Sequence, residues 1–142
     1  MKQNSEKNWY IFDASKLVLG RLSTQVADIL RGKNKTTFAN NTDGGDYVVV
    51  INAAKVKLTG NKENQKRYYK HSGYIGNLKE KTLPEMRAKN PEQIVIHAVT
   101  GMLPDNKLRE GFLKRLKVYP GANHPHVNVK FSVLKSFGLP SP

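Results

Sequence analysis

Five consecutive residues, Tyr47-Val48-Val49-Val50-Ile51, restrict most strongly how this chain can fold. All of them are β-branched or aromatic, and both types favour strands. A strand with one solvent-facing side alternates apolar and polar residues, whereas this run has no charged or amide position. The run therefore predicts a strand buried on both faces, as in a sheet that other elements cover.

The residues before this run predict another strand and a helix. Trp9-Tyr10-Ile11-Phe12 is aromatic and β-branched, and Asp13 closes it, as expected of a first strand. From Leu19, apolar residues recur at three- and four-residue spacing, which indicates a helix, and Gly32 stands where a C-terminal cap is expected. Strand, helix and strand in this order predict a right-handed parallel crossover within an α/β fold.

Shorter elements are predicted further along. Lys55 to Leu58 alternates like a short strand, and Arg67 to Lys70 predicts another before a glycine-containing loop. Thr82-Leu83-Pro84-Glu85 and Asn90-Pro91-Glu92-Gln93 each have the form of a capping box with proline at the first helical position. Ile94-Val95-Ile96 alone would fit a strand, but the preceding cap favours a helix.

The last part of the chain predicts one basic helix and little regular structure after it. Leu108, Phe112 and Leu116 repeat every four residues among lysines and arginines, which indicates an amphipathic helix with a basic outer face. Lys117 to Tyr119 predicts a last strand. From Ala122 onward no helical period continues, so we expect an extended tail that orders against something else.

The charge balance narrows the possible partners. Of the 142 residues, 24 are lysine or arginine and 11 are aspartate or glutamate, which gives a net charge of +13. So much like charge repels itself, and a polyanion that releases counterions when bound relieves this repulsion. Nucleic acid is therefore the leading partner class and an anionic membrane the second, although no apolar run is long enough to span a bilayer.

Several kinds of chemistry lack the residues they need. Cysteine is absent, which excludes a disulfide, a thiolate nucleophile and sulfur-ligated zinc, and suits a reducing cytosol. There is no phosphate-binding glycine loop and no nucleophile elbow. Asp43 and Asp46 lack the further ligands of a calcium loop, and His124 with His126 falls short of a zinc site. We therefore predict no cofactor, no metal and no catalytic residue.

Basic side chains are concentrated in three segments, residues 31–35, 62–81 and 107–117. In the second, tyrosines and glycines lie between the cations, a composition that suits RNA because tyrosine stacks on unpaired bases and glycine allows close approach. A single lysine is an ordinary surface residue, but clusters of one sign repel unless a polyanion binds them. The candidate contacts from this pattern are Arg31, Lys33, Lys35, Lys66, Arg67, Lys70, His71, Lys107, Lys114, Arg115 and Lys117.

A series of short blocks resembles, in order and spacing, the bacterial form of the thirteenth large-subunit ribosomal protein family. The blocks are Leu19-Gly20-Arg21-Leu22, Leu30-Arg31-Gly32-Lys33, Gly45-Asp46-Tyr47, Thr59-Gly60-Asn61-Lys62, Tyr68-Tyr69 with His71-Ser72-Gly73-Tyr74-Ile75-Gly76, Gly101-Met102-Leu103-Pro104 and Leu116-Lys117-Val118-Tyr119. So many ordered matches make coincidence improbable.

The resemblance implies a three-layer α/β/α domain around a small parallel sheet, with basic loops and an extended C-terminal tail. Residues 1–142 would form one domain with a core at 9–126 and a tail at 127–142. It also implies a cytoplasmic place in the large ribosomal subunit. The partners would be large-subunit (23S) ribosomal RNA, bound early in assembly, and neighbouring ribosomal proteins. A catalytic role, a small-molecule substrate and a membrane partner are not implied.

By position, the resemblance implies RNA contacts at particular residues: Arg31, Lys33, Lys35, Lys62, Tyr69, His71, Ser72, Gly73, Lys114, Lys117, His124 and His126. Gly101 to Pro104 are expected to shape the fold instead. Gly111 departs from the family, which usually has a better helix former there, and glycine inside a helix costs roughly 0.5–1 kcal/mol relative to alanine. The tail matches nothing in the family, and its apolar residues leave open whether it covers the domain or docks on a neighbour.

Two other functions remain as alternatives. A free-standing regulator that binds messenger RNA would have the same basic segments, and flexibility of the tail and middle loop in the isolated protein would argue against it. An enzyme acting on RNA would need a specific acid or histidine, and no residue in the sequence stands out for that role.

Overall fold

The computed structural model describes residues 7–36, 39, 41, 43–76 and 78–131. The strands are β1 (Trp9–Asp13), β2 (Tyr47–Ile51), β3 (Arg67–His71), β4 (Leu78–Thr82) and β5 (Leu116–Val118). The α-helices are α1 (Leu19–Arg31), α2 (Lys62–Gln65), α3 (Leu83–Lys89), α4 (Pro91–Met102) and α5 (Arg109–Lys114), and short 3-10 turns cover Ala14–Lys16 and Ala53–Lys55. Within these ranges no helix is long and apolar enough to cross a membrane.

A parallel sheet in the order β1-β2-β5 forms the centre of the fold. β2 lies between its two neighbours, and Val48, Val49 and Val50 have no accessible surface. The prediction of a strand buried on both faces is confirmed, as is the parallel pairing of the first two strands.

The two faces of this sheet are covered differently. Alternate residues of the three strands, among them Phe12, Val50 and Leu116, join one apolar cluster with residues of α1 and α4. The second face carries Trp9, whose ring stacks on Tyr47 with centroids 4.4 Å apart. The other ring contacts described on that face, among them that of Trp9 with His126, all involve residues 119–131. A mixed α/β fold with a small parallel sheet is therefore confirmed, whereas the three-layer arrangement stays a prediction.

The two long helices lie where the sequence placed them. α1 ends at Arg31, and Gly32 follows in the left-handed conformation with φ 81°. α4 begins at Pro91, so the helical interpretation of residues 94–96 is confirmed. The predicted capping boxes are wrong in one respect, because neither Thr82 nor Asn90 caps its helix with its side chain.

Two predicted elements need correction. Lys55 to Leu58 is not a strand, because its start belongs to the 3-10 turn and only Lys57 makes an isolated bridge, with Val18. The basic helix ends at Lys114, and Leu116 belongs to β5, where it pairs with Val48 of β2. Pairing at the sheet edge overrides the four-residue apolar repeat.

The connection from α1 to β2 passes very close to the end of the helix. A Cβ atom on Gly45 would lie 1.7 Å from the carbonyl oxygen of Leu30, which no rearrangement of a side chain could relieve. The next amide, that of Asp46, donates to the carbonyl of Ile29 at 3.2 Å. Glycine at position 45 is therefore required for β2 to enter the sheet beside α1.

We expect Gly45→Ala to destabilise the protein by roughly 3 kcal/mol or more, because the added methyl group forces the backbone apart in a closely packed region. Gly44→Ala is the matched control, since a Cβ there meets nothing within 4 Å. Urea unfolding followed by circular dichroism compares the two. Equal stability of the variants would show that the close approach at Gly45 is not a constraint.

Candidate nucleic-acid interface

A two-stranded antiparallel hairpin, β3–β4, carries most of the predicted middle cluster. Arg67 pairs with Thr82 at its base and His71 with Leu78 at its end. Gly73 and Gly76, in the loop between the strands, have φ of 89° and 78°, values that favour glycine. The sequence predicted β3 but not β4, whose residues Leu78–Thr82 include three charged side chains and resemble a loop in composition.

The base of the hairpin is fixed to the rest of the protein. Tyr68 is buried and meets His97 of α4 edge to face, with ring centroids 5.2 Å apart. Arg87 of α3 donates to the carbonyl oxygens of Ala54, at 2.8 Å, and Val56, at 3.1 Å, beyond the end of β2. It also pairs with Glu63 at 2.6 Å. The hairpin therefore projects from a rigid base at the carboxyl end of the parallel strands.

One side of the hairpin gathers lysines, which we call the lysine face: Lys70, Lys79 and Lys81. Lys70 lies directly opposite Lys79 in the strand register, and both are exposed. Lys81 lies opposite Tyr68 on the same side. Like charges directly opposite one another destabilise a strand pair, so this arrangement is unfavourable in the isolated protein.

The other candidate residues of the hairpin have mixed surroundings. Arg67 forms an ion pair with Glu80 across the strands at 2.9 Å, and Lys66 lies over the Tyr68 ring, 5.4 Å from its centroid. His71 accepts a hydrogen bond from the Gly73 amide through Nδ1, at 2.9 Å, which leaves Nε2 as the outward donor of a neutral ring. The remaining candidates of this segment are also exposed: Lys62, Tyr69, Ser72 and Gly73.

Arg115 corrects the sequence prediction, because it lies inside the protein rather than on its surface. Its side chain is 7 % exposed and donates to Asp43 Oδ2 at 2.7 Å and to the Leu30 carbonyl at 2.8 Å. A guanidinium held by these partners is not available to a phosphate. It joins the end of α1, the loop before β2 and the start of β5.

Lys35 corrects the prediction in the same way. Its Nζ lies 2.8 Å from Oδ1 of Asp46, a carboxylate with no exposed surface. The same oxygen accepts a hydrogen bond from the Asn8 amide at 3.0 Å. Asp43, at the surface, and Asp46, which is buried, are therefore partners of basic residues of the same chain, a role that their composition and spacing did not reveal.

The other cations of the first and third clusters are at the surface. Lys33 is 45 % exposed and 3.8 Å from Asp28, and Lys107 and Lys114 are exposed, while Arg31 is half-buried. Arg115, directly after α5, donates a hydrogen bond to the carbonyl of Leu30 near the end of α1. The first and third basic clusters therefore meet at the amino end of the parallel strands. We call Arg31, Lys33 and Lys114 the edge cluster.

Lys117, His124 and His126 lie near the aromatic residues of the second face. His126 Nε2 is 2.8 Å from the Tyr119 hydroxyl, and its ring centroid lies 5.1 Å from that of Trp9. Burial, with repulsion from His124 and Lys117, lowers the pKa of His126 below its ordinary value. His126 is therefore neutral at pH 7, and it forms a hydrogen bond with the Tyr119 hydroxyl. Among the described residues, no three histidine or acidic side chains cluster to hold a metal ion.

These features define a class of protein: a small, basic α/β protein whose exposed cations are gathered on a projecting hairpin and at one end of a parallel sheet. The chain belongs to the family of ribosomal protein L13, whose family model matches residues 7–125. This confirms the resemblance read from the motifs. Members of this family are structural proteins rather than enzymes, in agreement with the expectation of no catalytic role.

Relatives match over nearly the whole length. The large ribosomal subunit protein uL13 of Nitratidesulfovibrio vulgaris (strain DSM 19637 / Miyazaki F) is 52% identical over 124 residues, which cover 87% of this chain and 86% of the relative. That of Finegoldia magna is 52% identical over 134 residues, 94% of each chain. That of Salinispora arenicola is 55% identical over 121 residues, 85% of this chain and 82% of the relative.

The ion pair of Asp43 makes stability depend on pH in a defined direction. Burial opposes its ionisation, but the hydrogen bond and charge of Arg115 outweigh burial and lower the pKa of Asp43. A carboxyl group with a lowered pKa in the folded state stabilises the protein above its unfolded pKa, about 3.9, and loses this contribution as the pH falls through the folded pKa.

We therefore expect Asp43→Asn to lower the free energy of unfolding by roughly 1–3 kcal/mol at pH 7, as for hydrogen bonds to charged groups. The difference from wild type should be the same at pH 5 and should shrink below about pH 4. Urea titrations at pH 7, 5 and 3 measure it. Asp105→Asn is the control, because Asp105 is 94 % exposed, and a similar loss in that variant would contradict the assignment.

Proposed function

We propose that this chain is a structural constituent of the large ribosomal subunit in the cytoplasm, where it binds large-subunit ribosomal RNA and supports early assembly. It contacts neighbouring ribosomal proteins and uses no cofactor. Family membership supports the ribosomal role. RNA binding is supported by the charge of the chain and by the way its cations are placed.

The lysine face is the observation that carries the RNA-binding proposal. Lys70 and Lys79 lie opposite each other on an exposed hairpin, where their charges repel. An acidic residue in place of either lysine would replace this repulsion by attraction. In RNA the phosphates supply the missing negative charge, and the counterions released add to the affinity. The arrangement is unfavourable alone and favourable in a complex.

The mechanism we propose is electrostatic bridging. The edge cluster lies at the amino end of the parallel strands, whereas the hairpin is anchored beyond their carboxyl end. The protein is a rigid frame with cations at both ends. It binds two RNA segments most tightly when the fold of the RNA holds them as far apart as the edge cluster and the hairpin. Because binding is tighter to the folded arrangement, the protein shifts the RNA towards it.

The proposed RNA contacts are the surface members of the predicted set: Arg31, Lys33, Lys62, Lys66, Arg67, Tyr69, Lys70, His71, Ser72, Gly73, Lys107, Lys114, Lys117, His124 and His126. Arg115 and Lys35 are removed because each is held by a carboxylate. We further propose that residues 1–142 form one three-layer domain, with a core at residues 9–126 and an extended tail at residues 127–142. Residues 132–142 lie outside the described residues.

Affinity for large-subunit ribosomal RNA should fall steeply with salt, with a slope of about −0.7 to −0.9 in log–log form for each phosphate contact. Lys79→Glu should weaken binding and reduce this slope by about one contact. The same variant should stabilise the free protein by roughly 0.2–1 kcal/mol, because opposite charges then face each other across the hairpin. Filter binding at several salt concentrations and urea unfolding measure both effects.

Lys89→Glu makes the same charge change on α3, outside both cationic surfaces. It should give no gain in stability and a smaller loss of affinity. An affinity that does not depend on salt, or a Lys79→Glu variant that binds as tightly as wild type, would contradict the proposed function.

A further inference from the structure

A cleft of about 460 Å³ lies between the hairpin and helices α3 and α4. Its volume is within the range of roughly 300–1,000 Å³ found for sites that enclose small organic groups. The hairpin supplies Tyr68 and the lysine face, and α4 supplies Gln93 and His97. The cleft therefore combines aromatic rings, an amide and cations in one concave surface.

The charge of the cleft selects an anionic ligand. Lys70, Lys79 and Lys81 all line it, and the lining residues that the structure describes include no aspartate or glutamate. Glu80, the acid between two of these lysines, is held on the other side of the hairpin by Arg67. The lysines therefore face the cleft without an acidic partner among its lining, which favours a phosphate-bearing occupant.

The uncharged groups of the cleft suit a nucleobase. His97 is exposed at the cleft, which leaves its ring open to stacking, and the buried Tyr68 meets it edge to face with ring centroids 5.2 Å apart. The Tyr69 ring faces away from the cleft, because Tyr69 lies opposite Glu80 in the strand register. Gln93 is exposed at the cleft, and an amide offers both donors and an acceptor to the edge of a base. A base in a duplex cannot reach such a site, because its faces are stacked and its edge is paired.

We infer that this cleft takes one unpaired nucleotide of the bound RNA. The base stacks on His97, Gln93 hydrogen-bonds its edge, and the lysine face holds the flanking phosphates. The inference rests on the proposed function and refines it: the hairpin recognises a bulged or looped nucleotide rather than only the backbone of a helix.

The test uses the full chain and two RNA duplexes of equal length, one fully paired and one with a single bulged 2-aminopurine. Wild-type protein should prefer the bulged RNA and quench the fluorescence of the bulged base. His97→Ala should reduce affinity for the bulged RNA about fivefold to a hundredfold, the range for loss of one base stack, and should change affinity for the paired RNA much less. Gln93→Ala should reduce the same preference.

Matched variants separate the cleft from the rest of the hairpin. Tyr74→Ala removes a different exposed aromatic ring, 74% exposed, and Gln65→Ala another exposed glutamine, and neither residue lines the cleft. Both should retain the preference for the bulged RNA. Circular dichroism and urea unfolding verify that each variant is folded.

The outcomes distinguish this inference from the proposed function. If wild-type protein binds large-subunit ribosomal RNA but binds paired and bulged duplexes equally, or if His97→Ala weakens both duplexes alike, the cleft does not take a base and the inference is overturned. If ribosomal RNA is not bound at all, the proposed function fails as well. A further titration uses free adenosine monophosphate. If the protein binds this nucleotide tightly but shows no preference for the bulged RNA, the cleft binds a free nucleotide rather than a nucleotide of RNA, and the inference is overturned.

Discussion

The buried guanidinium of Arg115 holds the fold together at the amino end of its sheet. It joins three segments that are distant in the chain, through Asp43 and the carbonyl oxygen of Leu30. A buried charge is costly unless it is paired and hydrogen-bonded, so each of these partners must be in place. Gly45 allows that arrangement, because any side chain there would collide with Leu30. The position of β2, and hence of the whole sheet, depends on the bonds of Arg115 and on the close approach of Gly45 to Leu30.

The sequence predicts the elements that local pattern determines. Three such patterns consist of neighbouring residues: the apolar run of β2, the apolar spacing of α1, and the prolines near the starts of α3 and α4. The structure contains all of the elements that they predict. β4 was missed because its charged residues become a strand only by pairing with β3. Leu116 was assigned to a helix because its apolar repeat does not show that it pairs with β2.

The candidate site shows the same limit more sharply. Composition identified the basic clusters, but it could not separate the cations that serve the fold from those that face outward. Arg115 and Lys35 look like their neighbours in the sequence, yet their partners Asp43 and Asp46 remove them from the surface. Repulsion between Lys70 and Lys79 became visible only with the strand register. The distinction depends on long-range pairing, which no local window contains.

The bridge between Trp9 and Phe131 brings residues close to the two ends of the chain side by side. β5, the partner of β2, also comes from the last part of the sequence. During synthesis, the first strand and helix therefore emerge well before the segments that complete the sheet. The three-stranded sheet is therefore complete only after residues 116–118 have been synthesised.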